Sequence, residues 1–224
     1  FSHQRKTERL HSPDASARMR YSITGSYSDM TDYPIERHPL EPFLPEGGRI
    51  LMLGSFPPAQ KRWSMDFFYP NWINDMWRII GTVFFLDKEH FVIKGEKRFD
   101  KERIMEFCNE KGIGLYDTAF EVRRLKDNAS DKFLEIVSNS DLDYLLQRMP
   151  HCQAIVTTGQ KASEVIAEKF GVKEPAVGEK TLIRNYDGRQ INFWRMPSSS
   201  RAYPLALEKK AEHYRHLFET EEIL

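Results

Sequence analysis

Aromatic side chains crowd the loop that follows the first apolar segment, RILMLG at residues 49–54. The aromatic residues of this loop and of the helical pattern after it are Phe56, Trp63, Phe67, Phe68, Tyr69, Trp72 and Trp77. Aromatic rings on a loop offer flat faces to a planar ligand, and stacking on a base contributes ~1–3 kcal/mol. On the aromatic count alone, a small satellite core beneath a long loop is the favoured interpretation. A ligand pocket therefore needs support from other residues.

A second loop, MPSSSRAYP at residues 196–204, places hydroxyl groups and an arginine between an apolar strand and a helix. Hydroxyls, backbone N–H groups and a helix N-terminus commonly hold phosphate. Ser198, Ser199, Ser200 and Arg201 are therefore candidate phosphate-binding residues. An ordinary helix cap in a polar loop is the alternative, because serine runs are common in loops.

Other kinds of site find little support in the sequence. The segment GSFPP is followed by no Gly-Lys-Ser/Thr and is not a Gly-x-Gly-x-x-Gly loop. His213 and His216 have no Cys, Asp or Glu set that would complete a metal site. Ser55 has no His and carboxylate partners at the spacing of a hydrolase triad. We expect no metal and no cofactor.

Composition predicts a globular chain, with 40% hydrophobic residues among 224. No segment approaches the ~20 apolar residues that span a bilayer, and the N-terminus lacks the apolar region of a secretory signal. Cys108 and Cys152 lie far apart, which fits a reducing compartment. We expect a cytoplasmic monomer without membrane contact. The balance of 33 basic and 33 acidic residues counts mildly against a nucleic-acid partner, although local patches set the field that DNA meets.

Apolar patterning predicts strands and helices in alternation. Strands are predicted within RILMLGS, IGLYDTA, QAIVTTG and, around an Asp187-Gly188 turn, TLIRNYDGRQINFWRMP. Helices are predicted within NDMWRIIGTVFF, DKERIMEFCNEKG, SDLDYLLQRMP, QKASEVIAEKFG and residues 204–219. Gly112 should end the second helix, Ser140 should cap the third, and Pro204 should lie in the first turn of the last.

This alternation predicts an α/β fold, a three-layer α/β/α sandwich with a mostly parallel central sheet. In such sheets the ligand crevice lies at the carboxyl ends of the strands. The loops at those ends are residues 54–74, 116–128 and 196–204. Residues 1–36 lack apolar periodicity and are expected to form a flexible leader, and residues 37–224 are expected to form one domain.

Four stretches, in this order, resemble motifs of the uracil-DNA glycosylase superfamily: MLGSFPP, YPNWINDMW, GIGLYD and MPSSSRAY. The likeness is closest to its mismatch-specific and hypoxanthine (deoxyinosine) branches and covers roughly residues 48–218. It implies a monofunctional DNA N-glycosylase of base excision repair. Such an enzyme flips a deaminated or mismatched base, of the uracil or hypoxanthine type, from double- or single-stranded DNA and hydrolyses the N-glycosidic bond.

The resemblance also implies roles for individual residues. Gly54, Ser55 and Phe56 would form the floor and wall of the base pocket. Tyr69 would stack on the extruded base. Asn74 falls at the position of the catalytic asparagine of the hypoxanthine branch.

At the other loop, Ser198, Ser199 and Ser200 would grip phosphates near the flipped nucleotide. Arg201 to Tyr203 would probe the duplex. Basic residues outnumber acidic ones near this loop and in the last helix, so we expect a locally positive surface. The residues compared are Arg195, Arg201, Lys209, Lys210 and Arg215 against Glu208 and Glu212.

The sequence departs from the family pattern at four places. Phe56 stands where several branches have the Asp or Asn that orients the attacking water. Pro70-Asn71 replaces a Gly-His pair, Asp75 replaces the Arg after the asparagine, and Arg201 replaces a Pro. Asp75 would be a water-orienting base if it pointed inward, but on a helix we expect it to face solvent or to favour the helix N-terminus.

Two alternatives to a glycosylase are open. One is a non-catalytic module of the same fold that binds nucleic acid or a nucleotide through the serine loop. The other is an enzyme that acts on a different small substrate, for which the aromatic loop provides a planar pocket.

Overall fold

The computed structural model describes residues 33–126 and 131–224. The strands are β1 (Ile35–Arg37), β2 (Ile50–Gly54), β3 (Ile113–Asp117), β4 (Ala119–Arg124), β5 (Leu134–Asn139), β6 (Ala154–Thr157), β7 (Lys180–Arg184) and β8 (Gln190–Arg195). The helices are α1 (Met76–Phe85), α2 (Lys101–Lys111), α3 (Leu142–Arg148), α4 (Gln160–Phe170) and α5 (Leu207–Thr220). Most of the leader expected at residues 1–36 lies outside the described residues. The last two residues of the expected leader, Ile35 and Glu36, belong to β1.

The central sheet has the strand order β3-β2-β6-β8-β7. Neighbouring strands run parallel except β7, which pairs antiparallel with β8 across the predicted turn at Asp187-Gly188. Every residue of β2 and β3 is buried. This explains their continuous apolar sequences, since a parallel strand is covered on both faces. The predicted α/β fold with a mostly parallel sheet is confirmed.

The helices contact one another in two groups. The Phe84 ring of α1 lies 4.9 Å from the Phe107 ring of α2 and 4.9 Å from the Phe218 ring of α5, between centroids. In the other group, Lys169 of α4 forms an ion pair of 3.1 Å with Asp143 of α3. Within the described part of the chain, no helix combines the length and the apolar character needed to cross a membrane.

A second, smaller sheet was not predicted. Strands β1, β4 and β5 pair antiparallel in the order β1-β4-β5. The prediction of a loop at residues 116–128 is therefore wrong for the residues that form β4. The apolar residues of this sheet form a separate core with the first loop: Phe56, Ala119, Val122 and Leu134. The sequence of β4, AFEVRR, mixes apolar residues with Glu121, Arg123 and Arg124, so a search for continuous apolar segments did not find this strand. Asp127 and Asn128, at the end of the expected loop, lie outside the described residues.

Helix ends agree with the sequence in one case and differ in two. Gly112 ends α2 with a φ of 70°, as predicted for a C-terminal glycine. Asp141, not Ser140, caps α3 by accepting from the Tyr144 N–H, while Ser140 donates to the Asp117 carbonyl. Helix α5 begins at Leu207, three residues later than expected, because a turn over residues 200–203 precedes it.

Candidate nucleic-acid base pocket

A cleft of about 990 Å³ opens at the carboxyl ends of β2, β3, β6 and β8. Eight of the nine predicted site residues border it: Gly54, Ser55, Phe56, Tyr69, Asn74, Ser198, Ser199 and Ser200. The ninth, Arg201, is not among the lining residues. One wall comes from the second sheet, through Arg124 and Leu134. The topology therefore brings both motif loops to one opening, as expected for an open parallel sheet.

The floor of the cleft requires glycine at position 54. A Cβ on Gly54 would lie 2.7 Å from Asp117 Oδ1, 3.5 Å from the Tyr69 hydroxyl and 3.6 Å from Thr158 Oγ1. The backbone carbonyl of Gly54 accepts from the Thr118 N–H at 2.8 Å, and that of Ser55 accepts from Ala119 at 2.9 Å. The first loop is thus fixed to the end of β3 where it leaves the sheet.

Phe56 forms a wall between the cleft and the second core. Its ring meets the His38 ring edge-on at 5.4 Å between centroids, and the Arg124 guanidinium lies 6.0 Å from its centroid. The Phe56 residue is 9% exposed. It provides an apolar surface at the position where several family branches place an Asp or Asn.

Tyr69 is held at the cleft by its backbone and its hydroxyl. Its φ is 52°, an uncommon left-handed conformation for a bulky residue. Such a conformation costs of order 1–3 kcal/mol and persists only where neighbouring contacts impose it. The hydroxyl lies 2.9 Å from Thr158 Oγ1, and the ring meets Trp77 edge-on at 6.0 Å. Of the aromatic residues in the first loop, only Phe56, Phe68 and Tyr69 border the cleft, so the others fit the satellite-core interpretation.

Replacing Tyr69 with alanine is expected to weaken the capture of a lesion-containing duplex by ~1–3 kcal/mol, because a stacking face is lost. Tyr69→Phe is the matched control, since it keeps the ring and removes the hydroxyl that contacts Thr158. Fluorescence anisotropy with lesion and undamaged duplexes measures the difference. If Tyr69→Ala bound the lesion duplex as tightly as the parent, Tyr69 would have no stacking role.

Asn74 lies where the two motif loops meet. Its Oδ1 accepts from the Met76 N–H at 3.0 Å at the start of α1. An amide oxygen, not an NH₂ group, must face that donor, so this bond fixes the orientation of the amide. No described residue accepts from Nδ2. Asn74 also forms an isolated antiparallel bridge with Ser200, and the Asp75 N–H donates to the Ser199 carbonyl at 2.9 Å.

Asp75 does not face solvent, which corrects one of our expectations. Its carboxylate is buried, and Oδ1 lies 3.1 Å from Arg78 Nη1 and 2.9 Å from Arg201 Nη2. Two guanidinium groups compensate the charge that burial would otherwise make unfavourable. Asp75 and Arg201 are two of the departures from the family pattern, and here they bind each other.

Arg78 fastens the segment that carries Asn74. It donates to the carbonyls of Trp72 at 2.9 Å and Asn74 at 3.3 Å, and it lies 4.3 Å from the Trp72 ring and 5.1 Å from the Phe99 ring. Burial lowers the pKa of the Arg78 guanidinium, and the Asp75 carboxylate opposes that shift. Only the three-residue spacing from Asp75 could have indicated this role from the sequence.

Sequence reasoning missed a second buried pair, His38 and Asp117. Asp117 ends β3 and borders the cleft, and its Oδ2 lies 2.7 Å from His38 Nε2. The Leu40 N–H donates to His38 Nδ1 at 3.1 Å, so Nδ1 accepts and Nε2 carries the proton that is donated to Asp117. The position of Asp117 at the end of a strand within GIGLYD was the available indication.

Several basic residues that were expected to form a positive surface around α5 are bonded to other residues of the protein instead. Lys210 is buried and donates to the Ser200 carbonyl at 2.8 Å, Lys209 lies 3.4 Å from Glu212, and Arg215 donates to the Val83 carbonyl. Burial lowers the pKa of Lys210, and nearby Asp75 opposes this effect.

Four basic residues also line the cleft and form what we call the basic wall: Arg62, Arg124, Lys132 and Lys161. Arg124 forms an ion pair of 3.0 Å with Glu36, and Lys161 donates to the Leu134 carbonyl. The Nε atom of Arg62 is buried and has no hydrogen-bond partner among the described residues. Of the acidic residues that the structure describes, Asp117 and Glu164 line the same cleft. Across residues 33–126 and 131–224, no group of three or more His, Cys, Asp or Glu side chains could hold a metal ion.

Comparisons with known proteins support the fold. No protein-family model matches the chain, and no curated protein matches it. The solution NMR structure of a candidate uracil DNA glycosylase from Methanosarcina acetivorans is similar, with a TM-score of 0.56 and 21% sequence identity. The match covers 84% of this chain and 99% of that chain. At this identity the likeness establishes a shared fold.

Proposed function

We propose that the protein is a monofunctional DNA N-glycosylase that removes a deaminated or mismatched base, of the uracil or hypoxanthine type, by base flipping. One observation carries the proposal: the base-pocket residues, Asn74 and the serine loop border a single cleft at the carboxyl ends of the sheet. The structural likeness to a candidate uracil DNA glycosylase supports the same class of chemistry. The role belongs to base excision repair.

The cleft suits an extruded nucleotide. Its volume of about 990 Å³ lies at the upper end of the range of ~300–1,000 Å³ for small-molecule sites. Tyr69 offers the stacking face and Phe56 an apolar wall. Asn74 Nδ2 donates to a carbonyl of the base, where negative charge develops as the glycosidic bond breaks, and a donor placed in advance stabilises that charge.

The serine loop is suited to phosphate. Ser198 Oγ accepts from the Ser200 N–H at 3.2 Å, and Ser200 Oγ accepts from the Ala202 N–H at 3.3 Å. Each hydroxyl therefore keeps its own hydrogen to donate to a phosphate oxygen. Ser199 is buried and its carbonyl accepts from the Asp75 N–H, so it holds the loop in place rather than binding phosphate.

The basic wall supplies a second contact with the DNA backbone. It faces the same cleft as the serine loop, so the phosphates on both sides of a flipped nucleotide meet positive or hydroxyl groups. We assign the main contact to Arg62, because its side chain is only partly buried and has no hydrogen-bond partner at Nε among the described residues. We expect contacts with double- or single-stranded DNA and action as a monomer.

DNA affinity is expected to fall steeply with salt, and Arg62→Ala should reduce the slope of log K against log salt by about 1. Arg201→Ala should also weaken binding, by less, because Asp75 already engages that guanidinium. Arg184→Ala on β7 is the control, since Arg184 is exposed and outside the cleft lining. Affinity that does not depend on salt, or parent-like binding by both Arg62→Ala and Arg201→Ala, would contradict this interface.

The proposal is tested with duplexes that carry uracil, hypoxanthine, xanthine or a G:T mismatch, treated with alkali after incubation. Alkali-labile strand breaks at one of these lesions are expected. Binding without breaks at any lesion would instead favour the non-catalytic module. The capping bond of Asn74 Oδ1 is compatible with either outcome, because a cap can serve structure alone.

The three-layer arrangement is a further part of the proposal. The chain moves from β2 to β3 in one direction across the sheet and from β6 to β8 in the other. Right-handed crossovers then place the connecting helices on opposite faces. The two groups of mutually contacting helices fit this arrangement.

A further inference from the structure

Asp117 presents a carboxylate oxygen at the floor of the cleft. Oδ1 lies 2.7 Å from the position that a Cβ on Gly54 would take, so this oxygen sits directly beside the Gly54 Cα. Gly54 and Asp117 are register partners on adjacent parallel strands. The residue is 7% exposed, and the side-chain donor that this carboxylate has among the described residues, His38, bonds to Oδ2 and not to Oδ1. A buried carboxylate oxygen at a polar cleft needs a donor, and water is the simplest one.

His38 holds the Asp117 carboxylate in place through its other oxygen, Oδ2. Its side chain is fully buried and packs against the Tyr116 ring at 4.4 Å and the Phe56 ring at 5.4 Å. Because Nδ1 accepts from the Leu40 N–H, the ring is neutral, and Nε2–H donates to Asp117 Oδ2. This bond holds one carboxylate oxygen and leaves the other directed to the cleft.

We propose that Asp117 is the catalytic base that orients and deprotonates the attacking water, and that His38 is its positioning residue. The inference rests on the proposed glycosylase function. It explains how the cleft could work with Phe56 at the position where several family branches carry an Asp or Asn. The carboxylate comes from the neighbouring strand β3 rather than from the loop after β2.

The step balances without a cofactor. The water oxygen forms a bond to the sugar C1′ while the bond from C1′ to the base nitrogen breaks, and its electron pair leaves with the base. The water proton moves to Asp117 Oδ1 and from there to solvent. The departing base, stabilised by Asn74 Nδ2, takes a proton from solvent. Negative charge builds on the departing nucleobase. A positioned general base such as Asp117 contributes about 10²–10⁴-fold to the rate.

Asp117→Asn tests the proposal, because the amide keeps the side-chain size and can still accept from His38 Nε2–H. Single-turnover base release should fall about 100-fold or more, while lesion-duplex affinity stays within about two-fold. Asp143→Asn on α3 is the matched control, since its carboxylate is 53% exposed and pairs with Lys169 on the neighbouring helix α4. The rate is expressed per folded molecule, measured by near-UV circular dichroism.

Two more variants separate catalysis from packing. Asp117→Ala should regain part of its rate when formate is added, because the small carboxylate can enter the space that is left. His38→Ala should lower the rate, and His38→Gln should restore part of it through its side-chain N–H.

A parent-like rate for Asp117→Asn, or a loss that follows the loss of folded protein without formate rescue, would overturn the role of Asp117 and leave the glycosylase intact. A parent protein that releases no base from any duplex would overturn both proposals.

Discussion

Replacing Asn74 with alanine is expected to lower the rate of base release about 100-fold or more, in line with the loss of one donor placed in advance. The side chain borders the cleft, and its Nδ2 has no acceptor among the described residues. Single-turnover measurements with enzyme in excess isolate this step from product release. DNA affinity should be retained, because phosphate contacts supply most of it.

Asn74→Asp distinguishes catalysis from helix capping. Asn74 precedes Asp75, the N-cap of α1, and its Oδ1 accepts from the Met76 N–H; the loss of such a bond at a helix start costs ~1 kcal/mol of stability. Aspartate keeps the accepting oxygen and removes the amide N–H. We expect Asn74→Asp to melt like the parent and to release base as slowly as Asn74→Ala.

Asn71→Ala serves as the neighbouring control. Asn71 Oδ1 accepts from the Ile73 N–H in the same kind of local bond, and it borders the same cleft. Its removal should leave the rate near that of the parent. A fully active Asn74→Asp would show that the amide has no part in the chemistry.

Replacing Asp75 with alanine is expected to lower the free energy of unfolding by about 3–5 kcal/mol, because it leaves the Arg78 guanidinium buried without a carboxylate. The side chains of Asp75 and Arg78 are 10% and 8% exposed, and they lie 3.1 Å apart. Urea unfolding followed by circular dichroism measures the change. Base release should fall as well, since Arg78 also holds the Asn74 carbonyl.

Arg201→Gln is the contrasting variant at the same carboxylate. The Arg201 side chain is 51% exposed, so its bond to Asp75 should contribute no more than about 1 kcal/mol. A loss below about 1 kcal/mol for Asp75→Ala would contradict the idea that the buried pair fastens this segment.

The contact between Asp75 and Arg201 changes the meaning of two departures from the family pattern. In the sequence they are two separate departures, an acid beside the candidate catalytic amide and an arginine in the serine loop. In the structure they bind each other at 2.9 Å and join the two motif loops. Together they are compatible with an intact site.

Much of the central sheet could be predicted because short segments of the sequence are enough to indicate its strands, turns and helix ends. Continuous apolar segments marked β2, β3 and β6, Gly112 marked the end of α2, and the Asp187-Gly188 turn marked the hairpin. The rule that ligands bind at the carboxyl ends of parallel strands then selected the loops that border the cleft.

The remaining features depend on contacts between distant parts of the chain. His38 and Asp117 are 79 residues apart, and Asp75 and Arg201 are 126 apart, so no spacing pattern could pair them. Strand β4 was missed because only Ala119 and Val122 of its six residues are buried, and register shifts around Glu121 break the regular alternation of faces. Its partners are a short strand near residue 36 and another after residue 133.

Direct detection of the released base tests the central claim most closely. The parent protein is incubated with duplexes carrying uracil or hypoxanthine, and the products are measured by mass spectrometry without alkali. A glycosylase of the proposed kind yields the free base and an abasic strand of unbroken length, and Asn74→Asp yields neither at a comparable rate. Duplexes that are bound but remain intact in mass, with no free base, would contradict it.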